Sequence, residues 1–439
     1  MKNLKKKTGA ISSAKSSLAI IITFAILISL GTFLLLLPIS SKGKNYLTFQ
    51  EALFTATSCS CVTGLTLINP FERLNAFGLI VQMVLSQIGG IGIITVVSFL
   101  MLALNQKISQ NGFENAKADS GYSSTGELGR VLVHIIKFVF FTEGIFVLCF
   151  FFIFLRYTNF SNALFNSFYH TIMSFCNSGF DIFDSLGGVR VLSDNNLFKL
   201  LTIFAMFLGS VGYFTLSDIF KKKNIKLLNL NSKIILIFSI ILVIIPSLIF
   251  TFLTDRGNIS FIDALFMSTA SRTTGLSIVD FKSLSENTLY LIAQLMFIGG
   301  APGSMAGGLK VTTLAALMIA IRAIILDRDP QVFKRRISWQ CINQAMAVFS
   351  LFLLVLLFSV FTIKLLNNDI GVFNIFFDLV SAFSTTGFSL SVGTYDVISN
   401  YILIFLMFAG RIGPLTIASL LKYTKVRRIL YIEDDIAVG

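Results

Sequence analysis

The sequence predicts an all-α membrane protein made of four helix–re-entrant helix–helix repeats, and three observations lead there. Of 439 residues, 55% are hydrophobic and 13% charged, with a mean hydropathy of +0.82, whereas soluble domains carry about a quarter charged residues. Eight apolar runs, at residues 18–37, 77–104, 131–155, 197–220, 234–253, 289–325, 345–366 and 401–421, are long enough to cross a bilayer, which takes about 20 residues. Within each successive pair of runs lies a shorter semi-polar segment, and each is followed by the same glycine-bearing mark.

The first run is too long for a signal-peptide core and no small-residue cleavage site follows it, so it reads as a retained span. The net charge of +13 is gathered into four clusters. These are Lys2, Lys5, Lys6, Lys7 and Lys15; Lys221, Lys222, Lys223 and Lys226; Arg322, Arg328, Lys334, Arg335 and Arg336; and Lys422, Lys425, Arg427 and Arg428. Such spacing fits the positive-inside rule rather than nucleic-acid binding. An even number of spans puts both termini on one side, and the clusters make that side the cytoplasm. The opposite loops are expected to hold Asp181, Asp184, Asp194, Asp255, Asp263, Asp280, Asp369, Asp378 and Asp396. Five scattered cysteines show neither metal-ligand spacing nor a disulfide framework, and Cys59 and Cys61 read as packing residues.

The intervening segments, at 48–58, 163–171, 260–270 and 374–383, fall short of the ~17 residues a spanning helix needs and are too apolar for solvated loops. Re-entrant half-helices satisfy both conditions. Each leads into a polar stretch with one glycine: Val62-Thr63-Gly64, Asn177-Ser178-Gly179, Thr273-Thr274-Gly275 and Thr385-Thr386-Gly387. A second mark recurs inside each even span, beginning at Gly89, Gly209, Gly299 and Gly410, which lie 25, 30, 24 and 23 residues beyond those glycines. Repetition in a membrane chain argues for assembly around an axis. Extended backbone at membrane depth must be buried by protein or line a wet cavity. Four such segments meeting at an axis can offer carbonyl oxygens to a monovalent cation. The half-helices would turn their partly negative C-terminal ends toward the same place.

With these marks the chain resembles, over nearly its whole length, the superfamily of Trk, Ktr and HKT potassium transporters, and most of all the membrane subunit of the bacterial Ktr system. The resemblance implies eight transmembrane helices around a central pore with pseudo-fourfold symmetry. It makes Val62, Thr63, Gly64, Asn177, Ser178, Gly179, Thr273, Thr274, Gly275, Thr385, Thr386 and Gly387 the potassium selectivity filter. Some plant members carry serine in the first filter and favour sodium, so Gly64 implies potassium. The resemblance also implies a homodimer in the plasma membrane, seated on a ring of cytosolic subunits that bind adenine nucleotides. It leaves sodium activation open. No cofactor is expected on this chain, and potassium is its substrate.

The stretch from Gly299 to Gly308 holds five glycines and Pro302, which forbids a continuous helix. By resemblance it is an intramembrane gating loop, with Gly299, Gly300, Pro302, Gly303, Gly307 and Gly308 as its flexible points. Arg411 aligns with Gly90, Ser210 and Gly300 and lies deep in an apolar span. Intramembrane arginines face a water-filled path or a partner, and the resemblance makes Arg411 a cation barrier beside the loop. Lys310 either anchors the loop or snorkels to the interface. His170 is expected to be a hydrogen-bonded packing residue, and Glu143 to pair within the bundle.

The expected organisation is a basic N-terminus (1–15), four repeats (16–107, 128–224, 230–326 with the loop at 299–308, and 338–422) and a tail (423–439). There is no phosphate-binding loop, no dinucleotide fingerprint and no Ser/His/Asp set, so an enzyme is not expected. The competing reading is a coupled sodium or proton symporter, because carriers also use repeats and broken helices.

Overall fold

The computed structural model describes residues 2–92, 128–181, 192, 194–254, 259–279, 281 and 284–413. Parts of the expected organisation fall outside these residues: the span 77–104 beyond Gly92, the following linker to residue 127, the span 401–421 beyond Gly413, and the tail 423–439. Asp184, Asp255 and Asp280 lie outside them too.

Each repeat opens with a long apolar helix. These are α1 (Lys2–Leu36), α5 (Leu128–Phe154), α9 (Leu230–Ile249) and α13 (Trp339–Leu366). Helix α1 runs back through the expected basic N-terminus, and α9 continues into a π-helical turn, Phe250–Thr254. The four are long and apolar enough to cross a membrane. They turn large apolar side chains outward, with Phe141 71% and Phe358 72% exposed, as lipid contact requires and water does not favour.

A short helix follows in each repeat: α2 (Phe49–Ser60), α6 (Phe160–Phe175), α10 (Phe261–Thr273) and α14 (Val372–Ser384). Helix α2 starts at a capping box, where Thr48 accepts from the Glu51 N–H and Glu51 accepts from the Thr48 N–H. Helix α10 starts where Ser260 accepts from the Asp263 N–H. Asp263 thus stands in a first helical turn and pairs with the buried Lys199 at 2.6 Å. Asp378 belongs to α14 and is fully buried. Both acids, counted from the sequence with the opposite loops, stand on the half-helices within the segments 260–270 and 374–383. Packing of the half-helix encloses Asp378, whereas Asp263 stays partly exposed beside Lys199.

The inner segments depart from the sequence expectation. The runs beginning at 77, 197 and 401 read as uninterrupted spans, but each helix stops at the last glycine of its second mark. After the short helix α3 (Pro70–Arg73), α4 (Ala76–Ile91) ends at Gly92. Helix α7 (Asn196–Val211) ends at Gly212, and α8 (Tyr213–Lys222) leaves it at 96°. In the third repeat α11 (Glu286–Met296) and α12 (Val311–Ile325) flank a non-helical loop. Helix α15 (Val397–Ile412) ends at Gly413. Gly92, Gly212 and Gly413 have φ of 91°, 88° and 90°. A right-handed helix cannot pass through that conformation, and only glycine adopts it without steric cost. By length and composition, therefore, four described helices qualify as spans, or five with the bent pair counted as one. A two-residue hairpin, β1 (Gln331–Val332) with β2 (Arg335–Arg336), adds a small strand element to the linker before α13.

Packing follows one rule around the molecule. The inner helix of each repeat lies against the half-helix of the next: α4 on α6, α7 on α10, and α11 on α14. Helix α15 then returns to α2. The core is correspondingly built from the half-helices, which bury Phe54, Phe175, Phe266 and Phe377 completely.

Candidate functional site

The chain after each half-helix doubles back onto it. In three repeats the residue before the glycine donates its N–H to a carbonyl five positions earlier: Thr63 to Ser58, Ser178 to Met173 and Thr386 to Ser381. In the third repeat this register moves one residue on, and Gly275 bonds Ala270. The turn forces Val62, Asn177 and Thr385 to φ of 58°, 59° and 53°, a left-handed conformation that costs a side-chain-bearing residue energy. Thr273 escapes it because α10 extends that far.

The four glycines also have positive φ: 90° at Gly64, 73° at Gly179, 73° at Gly275 and 101° at Gly387. Their neighbours explain why no side chain fits. A Cβ on Gly64 would stand 2.5 Å from the Ser178 carbonyl oxygen, one on Gly179 1.8 Å from that of Thr274, one on Gly275 2.2 Å from that of Thr386, and one on Gly387 2.3 Å from that of Thr63. The contacts run from the first segment to the second, third and fourth and back to the first. The twelve residues singled out in the sequence around these glycines are thereby brought together in one ring. Thr274 Oγ1 donates to Asn177 Oδ1 at 2.5 Å across one junction. Among the described residues the hydroxyls of Thr63, Thr385 and Thr386 and the amide nitrogen of Asn177 have no hydrogen-bond partner, although buried polar groups almost always find one. A lining of this kind suits a path occupied by water or an ion.

The second marks pack the inner helices onto the half-helix ends. A Cβ on Gly89 would lie 2.1 Å from Ser60 O, one on Gly209 2.0 Å from Phe175 O, and one on Gly410 1.8 Å from Phe383 O. In the third repeat Gly299 lies instead against Gly307 O, at 2.1 Å. Here the loop folds on itself. Gly299 N–H donates to Leu309 O at 2.7 Å and Val311 N–H to Gly300 O at 3.1 Å, which ties the loop's two ends.

The loop touches three of its neighbours. Ala301 N–H donates to Ser210 O and Met305 N–H to Gly209 O, while Gly303 O accepts from Tyr213 N–H. The Pro302 carbonyl approaches Gly212. Gly307 packs on the Thr385 side chain and Gly308 on Ser384. Arg411 donates to Met305 O, Gly89 O and Gly90 O, so one guanidinium joins the loop to the first repeat. Lys310 Nζ donates to Ala306 O at 2.6 Å. Ala301, Met305 and Ala306 are at most 1% exposed.

Several buried polar side chains meet partners that the sequence did not name. Glu143 meets Gln87, whose Nε2 donates to both carboxylate oxygens at 2.8 and 2.9 Å. Asp378 receives the N–H groups of Leu390 and Ser391 and the Tyr395 hydroxyl, fixing the chain just beyond Gly387. Arg272 is buried beside the third segment. Its signal was present in the sequence, as an arginine inside an intramembrane segment. His170 bonds Thr202 at 3.0 Å and packs against Phe150 and Phe198.

Residues 2–424 match the family model for TrkH, described as a cation transport protein. The chain is 29% identical over 435 residues to the potassium/sodium uptake protein NtpJ of Enterococcus hirae, covering 95% of each chain. It is likewise 29% identical to Ktr system potassium uptake protein B of Bacillus subtilis, again covering 95% of each. Among solved structures it resembles the potassium transporter TrkH of Vibrio parahaemolyticus, with a TM-score of 0.72 and 18% identity over 94% of this chain and 85% of that one. With its several apolar helices and this match along almost its full length, the chain is a multi-pass membrane transporter rather than an enzyme, and it belongs to the TrkH family of cation transport proteins.

Proposed function

We propose that the chain is the potassium-conducting subunit of a Ktr-like uptake system in the plasma membrane. The carrying observation is the closed ring in which each of four glycines abuts the carbonyl of the next segment. A ring of backbone carbonyls replaces the hydration shell of a potassium ion, and the glycines let four backbones approach where a Cβ would hold them apart. In this reading eight membrane passages, four of them broken, surround the ring with pseudo-fourfold symmetry. The residues flanking Gly64, Gly179, Gly275 and Gly387 form the filter. The stretch from Gly299 to Gly308, pinned by Arg411, forms the gate. The names of the relatives, one a potassium uptake protein and the other a potassium/sodium uptake protein, support potassium as the substrate.

The same reading makes the chain a homodimer with cytoplasmic termini, opened by a separate cytosolic ring of nucleotide-binding subunits. The Ktr-system name of its relatives supports dependence on further components.

The test is cation flux into proteoliposomes, potassium against sodium, for the unmodified chain and for Gly64→Ser. Potassium preference that the substitution erodes is the expected result. Flux that requires an imposed sodium or proton gradient would replace the channel reading with a coupled carrier.

A further inference from the structure

Arg272 stands three residues before Gly275, where the other repeats carry Cys61, Cys176 and Ser384. It is 1% exposed, the largest fully buried side chain described. Its Nη2 donates to Gly299 O at 3.2 Å, and its Nη1 reaches Ser239 O at 3.5 Å. Among the described residues no carboxylate forms an ion pair with it. A guanidinium at this depth is costly to bury, so its contacts identify what it is kept for.

The repeats differ at this point. In the first, second and fourth, the leading glycine of the second mark packs directly on its own half-helix carbonyl, at Ser60, Phe175 or Phe383. In the third, Gly299 is packed on the loop backbone at Gly307 O, and its carbonyl is bonded from the half-helix by the Arg272 guanidinium. Gly299 is also one end of the pairing that closes the loop, through its N–H to Leu309 O. One side chain thus reaches the half-helix α10 that bears it, the outer helix α9 at Ser239 and the first residue of the loop. A planar guanidinium can serve two acceptors on separate elements at fixed angles, which a lysine ammonium does less well.

We propose that Arg272 is the positioning residue of the gate: by holding the Gly299 carbonyl it keeps the Gly299–Leu309 pairing shut and the loop across the ion path. The inference rests on the reading of residues 299–308 as the gate. It predicts that the loop is set from behind the filter by Arg272 as well as from across the axis by Arg411.

The test uses the full chain in proteoliposomes with four variants: R272Q, R272K, a shortened loop lacking residues 301–306, and the shortened loop combined with R272Q. If Arg272 positions the gate, R272Q raises resting potassium flux about tenfold, the equivalent of one lost hydrogen bond to a charged group, while potassium preference over sodium is kept. R272K gives a smaller rise, and R272Q adds nothing once the loop is shortened. If loop shortening raises flux but R272Q does not, or if R272Q still raises flux without the loop, the role of Arg272 is overturned and the gate stands. If loop shortening leaves flux unchanged, the gate reading fails and the inference with it. Should R272Q not yield folded protein, R272K decides. Failure of both to fold would make Arg272 a support of the whole fold and overturn the proposal.

Discussion

A methyl group on Gly179 would stand 1.8 Å from the carbonyl oxygen of Thr274, the tightest of the four approaches that close the ring. The others would be 2.2 Å at Gly275, 2.3 Å at Gly387 and 2.5 Å at Gly64. No real Cβ sits at such distances, so the neighbouring backbone must move, and it moves furthest where the approach is closest. Alanine at each position should weaken potassium preference in the order Gly179, then Gly275 and Gly387, then Gly64. Measuring the potassium-to-sodium flux ratio of the four variants tests this. An order unrelated to the approach distances would detach selectivity from the ring.

Arg411→Ala removes the donors to Met305, Gly89 and Gly90 and a positive charge beside the loop. Each bond to a charged group contributes about 1.5–3 kcal/mol, so resting cation flux should rise by tenfold or more. Arg411→Lys keeps the charge but not the fork, and should fall between the two. A lysine variant equal to alanine would assign the effect to tethering, and one equal to arginine would assign it to charge. Unchanged flux in Arg411→Ala would remove Arg411 from the gate altogether.

Asp378 gathers three donors while fully buried. Truncating it to alanine strands those donors, at a cost of about 2–5 kcal/mol. Asp378→Ala should lower the thermal unfolding temperature in detergent and weaken potassium preference through the fourth segment, since residues 390 and 391 follow Gly387 closely. Asparagine keeps one acceptor and should lose less. Wild-type stability in the alanine variant would contradict the anchoring role.

Gln87 supplies the amide that meets Glu143 on the second repeat. Gln87→Leu leaves the buried carboxyl without that donor, a loss of about 1–3 kcal/mol. Replacing both residues by leucine removes the need for the bond and should recover much of the loss. Thermal unfolding of the two single variants and the double one gives the coupling. Strict additivity would mean the two side chains do not depend on each other.

Much of this protein was legible from local chemistry. The half-helices could be read because their length is too short to span and their composition too apolar for water. The four ring glycines could be read because the same mark followed each half-helix. The loop at 299–308 could be read because five glycines and a proline cannot sustain a helix. His170 was expected to be a packing residue, and it lies hydrogen-bonded among phenylalanines. The even runs misled because hydropathy measures solubility in lipid and carries no backbone angle: residues 197–220 are predominantly apolar, yet the chain turns by 96° at Gly212.

The sequence by itself determined the recurring glycine marks, the segments that cannot be ordinary helices and the positions where a side chain is absent, because each follows from composition and spacing along the chain. Only the tertiary structure decided that Gly64 faces Ser178, that Glu143 meets Gln87, that Asp378 is enclosed rather than solvated and that Arg272 reaches Gly299. Those pairings join residues far apart in the chain, and what fixes them is the packing of each inner helix on the half-helix of the next repeat, which no local propensity encodes.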